Sequence, residues 1–223
     1  MKLARPALAI AVGAAMIVTG TAQAKVKPKP PKPVCNLVTD GTGDAHVVGP
    51  DPSVDAWDIT SADIAADKKN ITVVIRVKKL AKTAPTSAPT GMRWRFGFTA
   101  EDIPFSFGAH TDATGAVSYD AAYTDPIKGG QLYGGGVTGT FDTVKNEIHM
   151  TAPESLFASQ ATIKLGTVLS GLDASSGNEA AISDPTGKVV NGALLRVYPP
   201  GGDDAPSDKT YKVGALSCVT PGK

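Results

Sequence analysis

The chain has little of what a catalytic or metal-dense protein needs. Two cysteines and three histidines in 223 residues fall short of a structural zinc site, which takes four such ligands. His46, His110 and His149 are too far apart in sequence to form a His-Glu-x-x-His spacing. The chain has no Gly-x-Ser-x-Gly nucleophile elbow. Its one glycine-rich run, Gly129–Gly139, lacks the lysine of a phosphate loop, so it reads as a hairpin loop or a glycine-relieved strand edge, and no nucleic-acid partner is expected. Aromatic residues make up 6% of the chain, which leaves few beyond those needed for packing. No segment carries a long helical period, so little or no helix is expected in the mature chain.

The one long apolar run, Ala7–Val18, follows Lys2 and Arg5 and precedes Ala22-Gln23-Ala24, a small-x-small cleavage site. That arrangement is a secretory signal peptide over residues 1–24, and the run is shorter than the ~20 residues needed to span a bilayer. The mature protein is therefore expected outside the cell and not membrane-embedded. Lys25, Lys27, Lys29 and Lys32 alternate with Pro28, Pro30, Pro31 and Pro33, so residues 25–34 form an extended, polyproline-like linker that builds no core. Its charge could also hold the protein to an anionic cell-wall polymer. All 21 Asp and Glu lie between Cys35 and Cys218, so a basic lead precedes an acidic domain. A single domain is expected over residues 35–218, with a short tail at 219–223. In an oxidising exterior Cys35 and Cys218 pair by default. Closing so long a loop contributes roughly 5 kcal/mol in the chain-entropy model, an upper figure.

Strand signals recur along this domain. Ile71, Val73, Ile75 and Val77 alternate with polar or outward-facing residues, and Trp94, Phe96 and Phe98 share one face while Arg93 and Arg95 share the other. Phe105–His110, Ala116–Tyr119, Thr138–Phe141, Glu147–Thr151, Ile163–Leu169 and Tyr211–Gly214 read as further strands, with a turn at Asp112–Gly115 that suggests a meander of hairpins. Pro153–Phe157 fits one helical turn with proline near its start. Residues 171–189 read as loop. Many short strands with little helix predict an all-β, antiparallel β-sandwich of immunoglobulin or jelly-roll type.

Ahead of the first clear strand lies Asp40–Asp67, with seven Asp, three Gly and two Pro. Calcium takes six to eight oxygens, and carboxylates spaced by Gly can converge with carbonyls of a tight turn. Asp40, Asp44, Asp55 and Asp58 are the candidate ligands. The alternative is that these residues cap turns through their own backbone.

Taken in order, Asp40-Gly41-Thr42-Gly43-Asp44-Ala45, Asp58–Ile64, the strand ending Val77-Lys78-Lys79-Leu80, Trp94 with Phe98, Asn146-Glu147-Ile148 leading to Pro153, and Tyr211–Gly214 resemble secreted bacterial domains of the DOMON-like superfamily. That superfamily includes family 9 carbohydrate-binding modules and haem-binding cytochrome domains. The resemblance implies a β-sandwich that serves as a binding or accessory module, with calcium at the Asp-rich lead-in. Relatives that hold haem use Met with His or Lys. Here His149 and Met150 are adjacent on a strand and point to opposite faces, which leaves Met92 with His149, and haem is not expected.

A glycan or cell-wall ligand would need an exposed aromatic platform, for which Trp57, Tyr119, Tyr123, Tyr133 and Tyr198 are candidates, with Trp94 assigned to the core. The expected protein is a secreted, non-catalytic binding or structural module. An extracellular hydrolase with active groups dispersed over loops and a haem electron-transfer domain are the alternatives. Intact mass of the secreted protein is expected to give an N terminus at Lys25; a mass that retains residues 1–24 would overturn the signal-peptide reading.

Overall fold

The computed structural model describes residues 32–47, 54–86, 88, 90–124, 131–179, 189–190, 193–194 and 201–222. Fifteen strands follow in chain order: β1 (Val38–Thr39), β2 (His46–Val47), β3 (Ile59–Ala66), β4 (Asn70–Val77), β5 (Gly91–Ala100), β6 (Ile103–Asp112), β7 (Val117–Thr124), β8 (Gln131–Gly134), β9 (Thr138–Asp142), β10 (Glu147–Pro153), β11 (Val168–Asn178), β12 (Val189–Val190), β13 (Ala193–Leu194), β14 (Gly201–Pro206) and β15 (Tyr211–Lys212). One sheet runs β1-β3-β4-β10-β9. The other runs β2-β14-β11-β5-β6-β7-β8 with β15 joined to β11, and β12 pairs with β13. All of these pairings are antiparallel. The protein is an all-β sandwich without α-helix among the described residues; Glu154–Leu156 is a single 3-10 turn.

The core lies between the sheets and is built by the alternation the sequence displays. Ile71, Val73 and Ile75 of β4 and Trp94, Phe96 and Phe98 of β5 are fully or almost fully buried. Trp94 meets Phe141 of β9 edge-on, with ring centroids 5.3 Å apart, and its Nε1–H donates to Ala56 O at 2.7 Å. After the 3-10 turn, Phe157 enters between the sheets and packs edge-on against Phe105 at 5.4 Å. Aromatic pairs in these geometries contribute about 0.5–1.5 kcal/mol beyond the area they bury.

The smaller sheet is covered on its inner face and, over β3 and β4, on its outer face as well. Its outer side receives the two ends of the domain: Cys35 and Cys218 are disulfide-bonded with Cα atoms 5.2 Å apart, and Val34 forms an isolated parallel bridge with Ser217. Val219 then packs on Ala65 and Val74. The buried Asp63 carboxylate accepts Leu37 N–H at 3.0 Å and binds Arg76 Nη1 at 2.7 Å. Arg76 Nε reaches Glu147 at 3.0 Å.

Three sequence expectations change. Ile59–Ala66 is a central strand, not part of a turn-rich lead-in; because both of its faces are covered, its small and polar residues show no alternation. Ile163–Thr167 forms a turn, and the strand starts at Val168. That strand runs on to Asn178 through residues expected to be loop, and its Ser176 points inward because its hydroxyl donates to Trp57 O at 2.6 Å.

Removing one partner of a buried ion pair leaves an uncompensated charge. Asp63→Ala is therefore expected to lower the unfolding free energy by about 3–5 kcal/mol in urea titrations, and a loss below about 1 kcal/mol would contradict the buried-pair account.

Candidate metal centre

The segment after β1 turns tightly through Gly41 and Gly43. Gly43 has φ +92°, a left-handed backbone that glycine adopts without steric cost. Its N–H donates to Asp58 Oδ2 at 2.7 Å, which folds the loop back over the start of β3. Asp203 approaches from β14 in the other sheet, pointing inward, and its Oδ2 accepts Ile59 N–H at 2.7 Å. This single carboxylate links the two sheets.

A carboxylate oxygen from each of Asp40, Asp44 and Asp203 lies within 4.8 Å of the other two. Two oxygens on one calcium can be at most about 4.6–5.2 Å apart, twice the Ca–O bond length, so the three fit one ion. Asp40 Oδ2 and Asp58 Oδ1 are buried without a hydrogen-bond partner. An unmatched buried acceptor costs about 1–3 kcal/mol, more when it is charged, a cost that a bound cation would relieve.

The electrostatics agree. Burial pushes the Asp203 pKa up to about 6; the hydrogen bond from Ile59 opposes this, and the charges of Asp40 and Asp44 add to it. Burial also raises Asp40, opposed by the Gly41 N–H and by a hydrogen bond shared with the Asp203 carboxyl, and helped by the charges of Asp44 and Asp58. A raised carboxylate favours the protonated fold, and a bound cation reverses that preference.

Of the four predicted ligands, Asp40 and Asp44 converge. Asp58 stands beside them, 1% exposed, with Lys78 Nζ at 3.6 Å. Asp55 turns away to Lys78 at 2.9 Å. Asp203 was missed because it lies far along the chain in Gly201-Gly202-Asp203-Asp204, where only the Gly-Gly-Asp-Asp run hints at a turn with ligands.

Among the described residues, Trp57, Tyr119 and Tyr123 do not form an exposed platform. Trp57 is 0% exposed, stacked so closely over Gly201 that a Cβ there would come within 2.6 Å of its ring. Tyr119 and Tyr123 are half-buried and pack against the core from β7. Tyr133 falls on β8, with its side chain outside the described residues, as is Tyr198. Met92 is buried in the core, whereas His149 lies on the outer face of the smaller sheet, so the two do not converge on one site.

His110, on the outer face of the larger sheet, is held from both sides: Nδ1 by Glu179 at 2.7 Å and Nε2 by Asp120 at 2.8 Å. Gly108 makes room for this pair, since a Cβ there would lie 2.5 Å from Asp120 and 2.7 Å from His110. Arg93 and Arg95 lie alongside, the latter paired with Asp173 at 3.0 Å. With both ring nitrogens engaged, His110 cannot take a proton from a serine, and no dyad of the Ser-His kind forms there.

No family model and no curated protein matches this chain.

Burial opposes the His110 charge, but the hydrogen bonds and charges of Asp120 and Glu179 outweigh it and raise its pKa to about 9. A folded pKa above the unfolded value of about 6.5 contributes stability that is complete below pH 6.5 and lost as pH rises through 9. Urea unfolding at pH 6, 8 and 10 is expected to show that loss, and His110→Gln to flatten it; an equal loss in the variant would refute the assignment.

Proposed function

We propose that this protein is a secreted, non-catalytic binding module whose sandwich is clamped by a calcium ion at Asp40, Asp44 and Asp203, with Asp58 completing the acidic wall. The observation that carries this reading is the convergence of two carboxylates of the loop after β1 with one from β14, where Asp40 Oδ2 and Asp58 Oδ1 are buried without a donor. The ion joins the loop after β1 to β14, so its role is to hold the sandwich closed at the end where Asp203 already bridges the sheets. An all-oxygen, carboxylate-rich set suits a hard cation, and the mixture of turn and strand positions suits the flexible geometry of calcium over the strict octahedron of magnesium.

The signal peptide, the paired cysteines and the Lys/Pro-rich linker support an extracellular setting, where calcium modules work with dissociation constants of about 10⁻⁴–10⁻³ M. The resemblance to DOMON-like domains points the same way, toward binding rather than catalysis.

Calcium at tenfold over its Kd contributes about 1.4 kcal/mol, which raises Tm by roughly 3–6 °C for a domain of this size. Differential scanning calorimetry with millimolar calcium against chelator is expected to show this rise, with magnesium giving less and Asp203→Asn abolishing it. An unchanged Tm in the parent protein, or an equal rise in the variant, would overturn the calcium reading.

A further inference from the structure

Among the described residues five large apolar side chains are exposed, and four of them, Val34, Leu165, Val168 and Leu216, lie at one end of the sandwich. Single exposed apolar residues are ordinary, but their concentration in one place marks a contact surface. This is the end where β3 turns into β4 through Asp67–Lys69 and where the chain termini meet. The segment after β15 joins its parts: Lys212 pairs with Val168, a Cβ on Gly214 would come within 2.7 Å of Leu165 Cδ2, and Val34 N–H donates to Leu216 O at 2.9 Å. Two recesses open beside the β3–β4 turn. One, of about 310 Å³, is lined by Lys68, Glu154, Ile163, Lys164 and Leu165; the other, of about 290 Å³, includes Asp67, Gly214, Leu216 and Pro221. Both are open to solvent, so they suit a broad surface and not an enclosed small ligand.

The charges beside these side chains are cationic and unpaired. Lys32, Lys68, Lys69, Lys164 and Lys212 form no ion pair among the described residues. Lys209 donates to Asn36 O at 2.8 Å. The carboxylates of this end are Glu101, Asp102, Glu154, Asp208 and Asp67, and Asp67 Oδ1 is taken by the N–H groups of Lys69 and Asn70 at 2.7 and 2.8 Å. Lys25, Lys27 and Lys29 precede Lys32 in the sequence and add to the cationic side. The acidic seam is at the opposite end. Ile59 at the start of β3 meets Asp203, whereas Ala66 at its finish accepts Gly214 N–H at 2.9 Å, so the length of β3, roughly 20 Å, separates the two. An anionic surface attracts one end and repels the other.

Two other occupants fit less well. A second copy seated on the same patch would bring the lysines toward their own equivalents, and an apolar peptide would leave the amines without counter-charges. An anionic bilayer meets both features, because it offers phosphates to the amines and an apolar boundary beneath them to the leucines. The secretory reading supplies the encounter: cleavage after Ala24 releases the chain at the outer leaflet, with residues 25–33 between the new N terminus and Val34.

We infer that this end of the sandwich docks on the surface of an anionic phospholipid bilayer, with Leu165 and Leu216 entering the headgroup layer and Lys68, Lys164 and Lys212 meeting the phosphates. The inference goes beyond the calcium reading and makes no use of the acidic seam.

The test is co-flotation of the mature protein with vesicles of equal parts phosphatidylglycerol and phosphatidylcholine, in chelator and at roughly 50 mM salt, where screening is weaker than at physiological strength. Binding is expected there, with loss at about 0.5 M salt and none on pure phosphatidylcholine. The double variant Leu165→Gln/Leu216→Gln is expected to lower the partition coefficient by about tenfold or more, the worth of burying a leucine side chain. Lys164→Gln is expected to lower it about fivefold. These side chains are exposed, so Tm stays unchanged. The triple variant Lys25→Gln/Lys27→Gln/Lys29→Gln is expected to weaken binding while keeping the loss caused by the leucine changes. Absence of binding to the anionic vesicles, equal binding to neutral ones, or undiminished binding by the double leucine variant would overturn the inference. A vesicle-free dimer in sedimentation velocity that the same variant abolishes would overturn it too, and assign the patch to a second copy. With chelator present throughout, failure here leaves the calcium-dependent rise in Tm as a separate test.

Discussion

The bond between Cys35 and Cys218 holds both ends of the domain against the outer face of the smaller sheet, and much of the structure depends on that constraint. A sandwich sheet ordinarily turns one face to water. Here the chain ends cover β3 and β4, which allows Val74 and Ala65 to be apolar on the outer side and obliges Asp63, on the same side, to find partners inside the protein. It finds them in Arg76 and in the backbone of Leu37, itself part of the segment that the disulfide anchors. From there the chain of charges continues to Glu147 and His149, so the covered half of the face determines how the uncovered half is arranged.

The protein handles its acidic surplus in three ways. On β3 a carboxylate is paired with arginine and backbone donors. On the larger sheet Asp120 and Glu179 flank a histidine, lying flat over a glycine. At the seam between the sheets Asp40, Asp44, Asp58 and Asp203 gather with fewer protein cations than charges, Lys78 being shared between Asp55 and Asp58. The first two arrangements set each carboxylate against a side-chain cation. The third gathers more carboxylates than cations, with Asp40 Oδ2 and Asp58 Oδ1 buried and without donors.

Fold class was legible because β4, β5, β6 and β10 set large apolar side chains at every second position and so display the period of two. Among the strands that escaped detection, β3 and most of β11 break that rule for physical reasons: β3 is covered on both sides, and β11 carries Ser, Gly and Asp that are satisfied by partners in distant strands. At the acidic site, Asp40 and Asp44 were readable as neighbours in a glycine turn. Asp203 was not, since more than 140 residues separate it from Ile59 and only the pairing of β14 beside β11 brings it inward. Trp57, a candidate for an exposed platform, instead fills with its ring the space left by Gly201.

The tie between the chain ends also has a mechanical meaning. When a domain is pulled by its termini, the load usually runs through the hydrogen bonds of the strands nearest those termini. With Cys35 and Cys218 joined covalently, tension entering through the Lys/Pro-rich linker and leaving through the residues after Cys218 passes across one sulfur–sulfur bond. The two sheets and the acidic seam then lie outside the line of force. A domain built this way can be stretched between two anchor points without its sheets being deformed.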